Sequence, residues 1–97
     1  MMPLQFLEFD LSEDTDGLCS WSALACPSAA HAPALQREVQ DLLADLTRRL
    51  GSPGPLDEGH AWDMALDSGQ EGDRHRVSLD LCGGPALAEA LSFWTPA

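Results

Sequence analysis

Ninety-seven residues fit one domain, 1–97, because two would each be too small to bury a useful core. Sixteen Asp and Glu face five basic residues, all arginine, for a net charge of -11 and a pI near 4.2. A field of that sign repels phosphate backbones and anionic membranes, which argues against direct nucleic-acid binding through a basic face and leaves cations, basic protein surfaces or no charged partner at all open.

The apolar fraction of 44% is that of an ordinary globular domain. No apolar run approaches the ~20 residues of a membrane span. The opening MMPLQFLEFD lacks the basic region and long apolar core of a signal peptide. Cys19, Cys26 and Cys82 are odd in number and lack C-x-x-C spacing, which suits a reducing cytoplasm better than a disulfide framework.

In chain order, residues 4–11 read as a strand with Leu7, Phe9 and Leu11 on one face and Leu4, Phe6, Glu8 and Asp10 on the other. SEDTDG forms a polar turn, and Cys19, Trp21, Ala23 and Ala25 then alternate with Ser20, Ser22 and Leu24 in a second strand. CPSAAHAP is a linker, its prolines opposing regular structure. From Pro33 to Leu50 the residues Leu35, Val39, Leu42, Leu43, Leu46 and Leu50 make one helical apolar stripe, opened by proline and closed by Gly51.

GSPGPLDEGH is a loop, and a third strand follows with Trp62, Met64 and Leu66 alternating against Asp63 and Asp67. SGQEGD reads as a turn before a fourth strand, in which Val77, Leu79 and Leu81 oppose Arg76, Ser78 and Asp80. Gly83, Gly84 and Pro85 break that strand, and a second helix runs from Pro85 to Trp94 with Leu87, Ala88, Leu91 and Trp94 inward.

The expected fold class is α+β: a four-stranded, mainly antiparallel sheet with two helices on one face, in the order ββαββα. Pro33-Ala34-Leu35 and Pro85-Ala86-Leu87 open the two helices at equivalent points, as if one unit were used twice. The uncovered face would carry Leu4, Phe6, Leu24 and several carboxylates, a mixed surface fit for a protein partner or a homodimer.

Ser12 to Gly17 resembles a calcium loop in its alternating acids, but Ala23 stands where the bidentate Glu would be and the flanks read as strands. Gly83-Gly84-Pro85 precedes a helix but has no Lys or Arg nearby to hold a phosphate. The thiols have no evident basic neighbour to activate them, and His31, His60 and His75 are scattered. Neither a metal nor a cofactor is expected.

The densest functional run is Asp57, Glu58, His60, Trp62 and Asp63, which places acids, an imidazole and an indole where a loop enters a strand. His60 beside Glu58 or Asp63 could pair a base with an orienting carboxylate, but no nucleophile and no second histidine stand close in sequence.

The first strand Phe9-Asp10-Leu11-Ser12, the helix start Ala34-Leu35 with Glu38-Val39, and the run Gly54 to Asp63 together resemble a family of short, uncharacterised bacterial α+β proteins. The resemblance covers about Leu4 to Phe93 and brings no activity with it.

The leading expectation is a small, acidic, cytoplasmic interaction or ligand-binding module without catalytic activity, using the 57–63 loop. One alternative is a small enzyme or metal-dependent protein using that loop. Another is an acidic protein that occupies a basic, nucleic-acid-binding surface of another protein.

Overall fold

A computed structural model describes residues 6–13 and 18–94. The strands are β1 (Phe9–Glu13), β2 (Cys19–Ala25), β3 (Trp62–Glu71) and β4 (Arg74–Gly83), and the helices are α1 (Ala32–Leu50) and α2 (Pro85–Leu91). Single 3-10 turns at Ala29–His31 and Leu56–Glu58 complete the order, so the ββαββα arrangement is as expected. The sheet runs β1-β2-β4-β3 and is antiparallel throughout.

Alternation explains which face is covered. Trp21, Ala23 and Ala25 of β2 and Val77, Leu79 and Leu81 of β4 are buried beneath the helices. They share one core with Leu35, Val39, Leu42 and Leu46 of α1 and with Leu87, Ala90 and Leu91 of α2. The α1 stripe thus finds the apolar surface it requires, and each fully buried leucine contributes about 2 kcal/mol. Pro33 sits in the first turn of α1, and Gly51 ends the helix at φ 88°, where its N–H donates to Thr47 O at 2.8 Å.

The strand register contains an approximate two-fold. On the inner face Phe9, Ala23, Leu79 and Leu66 form one row across the sheet, and Leu11, Trp21, Leu81 and Met64 form the next. Half a turn about an axis between Ser22 and Asp80 exchanges the rows, placing Phe9 on Met64 and Leu11 on Leu66. The helices break this relation: α1 has 19 residues and α2 has 7. Leu11 and Leu66, at opposite edges, stay 54% and 47% exposed.

Five expectations need correction. The first strand begins at Phe9 rather than near residue 4, because Glu38 Oε2 accepts the amide N–H groups of Phe6 (3.0 Å) and Leu7 (2.9 Å) and holds that segment against α1. Phe6 consequently packs against the core beside His31 instead of standing on the open face. The last hairpin turns more tightly than SGQEGD implied. Its strands reach Glu71 and resume at Arg74, since Gly72 at φ 65° lets two residues close it.

The second helix ends at Leu91, and its inward face uses Ala90 where Ala88 was expected; Ala88 is exposed. Leu4 and most of the acidic turn, Asp14 to Gly17, lie outside the described residues.

Candidate functional site

The five loop residues singled out by sequence are divided among three environments. Asp57 and Glu58 stand exposed on the 3-10 turn, which closes at Gly59 with φ 94°. His60 turns back into the loop, its Nδ1 3.2 Å from Ser52 O and its ring against Gly54. A methyl group on Gly54 would lie 2.5 Å from His60 Nε2, so that close approach requires glycine.

Trp62 is fully buried, and its indole N–H donates to Gly51 O at 2.8 Å, tying the end of α1 to the start of β3. Asp63, one residue on, points to the opposite, open face because side chains alternate along a strand. Asp57, Glu58 and His60 thus share the loop, Trp62 belongs to the core and Asp63 belongs to the sheet. Among the described residues no group of three or more His, Cys, Asp or Glu is placed to hold a metal ion.

Asp63 leads to the surface that sequence reading sensed only in outline. Across the open face, Asp10, Ser22, Asp80 and Ala65 form one row, and Ser12, Ser20, Cys82 and Asp63 the next. A third row holds Leu24, Ser78 and Asp67. The small side chains keep the middle of the sheet low, leaving a shallow trough of about 330 Å³ lined by Ser20, Ser22, Asp63, Ala65, Asp80 and Cys82. The Ser22 hydroxyl donates to Asp80 Oδ1 at 2.6 Å, holding that carboxylate in place. Leu24, 64% exposed, borders the trough with apolar surface.

No basic side chain enters the two rows that hold Asp10, Asp63 and Asp80. The basic residues of β4 lie near the hairpin end and are engaged there. Arg74 Nη1 donates to Cys26 O at 2.9 Å. Arg76 lies between Asp67 (3.4 Å) and Glu71 (3.3 Å), and its Nε makes the Glu71 contact as an ion pair without hydrogen-bond alignment. The centre of the face is therefore anionic and uncompensated in its own rows, while its end is balanced.

Alternation implies an open face with several carboxylates, but which of them share adjacent rows depends on strand order. Asp10, Asp63 and Asp80 are spread over 71 positions of the chain, and only the β1-β2-β4-β3 order brings them together. Cys82 also comes to this face, whereas Cys19, paired with Gly83, points to the inner side.

No protein-family model, curated protein or solved structure matches the chain, and the site is therefore read from its own residues.

Proposed function

We propose that this protein is a non-enzymatic interaction module that holds a basic segment or surface of another protein against its open sheet face. The observation that carries this reading is the trough lined by Asp63 and Asp80, with Asp10 farther along the Asp80 row and no basic side chain in those rows. A Lys or Arg stem fits over small residues such as Ala65 and Cys82, and its charged head reaches the carboxylates at the border. Leu24 supplies an apolar contact beside them. The net charge of -11 adds long-range attraction for such a partner and speeds encounter.

A second copy of the chain suits this face less well, because stacking two such faces opposes carboxylate to carboxylate. Occupying the basic, nucleic-acid-binding surface of another protein is a special case of the same chemistry, supported by the same rows of acids. In this reading Asp63 joins the binding face directly, and the Asp57 and Glu58 charges widen the field around it.

Native mass spectrometry of the protein gently purified from its own cells tests the proposal. A stoichiometric complex with a basic protein, dissociating as salt rises through the physiological range, is the expected result. A tightly held metal ion or small molecule in its place would overturn the reading in favour of a small enzyme or metal-dependent protein using His60.

A further inference from the structure

We infer that the free edge of β3 is a second element of the binding surface, one that accepts an extended peptide as a fifth strand. The inference rests on the reading above for the partner's charge, but it names a different contact and a definite backbone shape.

The β3–β4 register is unbroken from Trp62↔Gly83 to Glu71↔Arg74, so backbone groups alternate strictly between facing β4 and facing outward. Two observed bonds fix the phase. Trp62 O accepts from Gly54 N at 3.1 Å, and Met64 N donates to Asp63 Oδ1 at 2.8 Å. Both lie on the side away from β4, so Leu66, Ser68 and Gln70 also present their N–H and C=O groups outward. Among the described residues no hydrogen bond occupies them. The loop and the Asp63 carboxylate thus close the first third of the edge and leave the rest as a template.

Each side of this open stretch has its own character. On the helix side, a groove of about 210 Å³ runs between Gln36, Val39 and Gln40 of α1 and Leu66, Ser68 and Val77 of the sheet. Leu66, 47% exposed, forms its apolar lip. On the other side β3 shows Asp63, Asp67 and Glu71; Arg76 contacts the last two and Arg74 stands opposite Glu71, so three carboxylates meet two arginines and the excess charge lies toward Asp63. A strand added here projects alternate residues into the groove and over the acids. The fitting partner is an extended segment with apolar side chains at one parity and Lys or Arg at the other.

A second copy pairing through the same edge in the register centred on Asp67 is disfavoured. Antiparallel pairing centred on Asp67 would set Asp67 against Asp67 and Asp63 against Glu71, and like charges directly opposite destabilise a ladder.

The test uses a short synthetic peptide of alternating Val and Lys, and amide exchange of the full-length protein followed by NMR. The peptide is expected to slow exchange at Leu66, Ser68 and Gln70 by about tenfold or more at saturation. Ser68→Pro removes an outward N–H that the fold does not use, so it should weaken the peptide about tenfold while the thermal midpoint stays close to wild type. Should that variant fold poorly, a peptide N-methylated at alternate residues asks the same question, since one methylation parity blocks pairing and the other does not.

If shifts and protection appear only around Ser22 and Asp80, and neither proline nor N-methylation matters, the edge inference is overturned while the open-face reading stands. Protection at the edge that survives neutralisation of Asp10, Asp63 and Asp80 would support the edge and sink the open face. Absence of binding would overturn both.

Discussion

The indole N–H of Trp94 donates to Asp45 Oδ2 at 2.8 Å, joining the chain beyond α2 to the last turns of α1. Asp45 also receives Arg48 and Arg49, and Arg49 lies 4.4 Å over the Phe93 ring. The Trp94 hydrogen bond, more than the arginine contacts, holds the Asp45 carboxyl below the ordinary aspartate range, while desolvation opposes the shift. Because the folded-state pKa is depressed, the stabilisation is fully present above the unfolded aspartate value. It is lost as pH falls through the folded-state value, which places the window below about pH 4.

Asp45→Asn should therefore lower stability at neutral pH by about 1 kcal/mol and flatten the acid dependence in that window. Urea unfolding of both proteins across acid pH measures this. Parallel acid limbs for the two proteins would show that the clasp contributes nothing.

Trp62 links helix end and sheet more tightly than any other side chain of the loop run. Replacing it with Phe removes the hydrogen bond to Gly51 O and part of a fully buried side chain. A loss of about 2 to 3 kcal/mol is expected from these two effects together. Far-UV circular dichroism through a urea transition reads it; a loss below about 0.5 kcal/mol would contradict the tie described here.

His60 and Gly54 are coupled by contact. Gly54→Ala places a methyl group into the imidazole and should displace the ring from Ser52, destabilising the loop by about 1 kcal/mol. In the His60→Ala background the same methyl meets no ring and should cost much less. A double-mutant cycle measures the difference, and additive effects would refute the packing role of His60.

Much of the architecture was legible in the chain. The period-2 runs at 19–25 and 77–81 and the helical stripe from Leu35 to Leu50 each match one buried face. What was illegible depended on contacts distant in sequence. Residues 6–8 alternate like a strand, yet β1 begins at Phe9 because Glu38, about thirty positions away, takes the Phe6 and Leu7 amides. Trp94 has the spacing of one more inward helical residue, whereas α2 ends at Leu91 and the Trp94 indole bonds Asp45.

The loop run looked functional for a local reason, the crowding of polar and aromatic types, but the fold gives those residues separate tasks. Alternation places carboxylates on an open face, but nothing local says which of them share adjacent rows. Asp10, Asp63 and Asp80 each read as the polar member of an alternating strand, and only pairing in space makes them neighbours.

The central claim is that these three carboxylates form a binding face for a basic partner. It is tested most directly by an NMR titration of the isotope-labelled protein with a Lys-rich peptide, repeated on the Asp10→Asn/Asp63→Asn/Asp80→Asn variant at low and physiological salt. The account predicts shifts centred on Ser20, Ser22, Ala65 and Cys82, an affinity that falls with salt, and at least about a tenfold weakening in the variant with its thermal stability retained. Shifts confined to Asp57, Glu58 and His60, or an affinity that ignores both salt and the triple substitution, would contradict it.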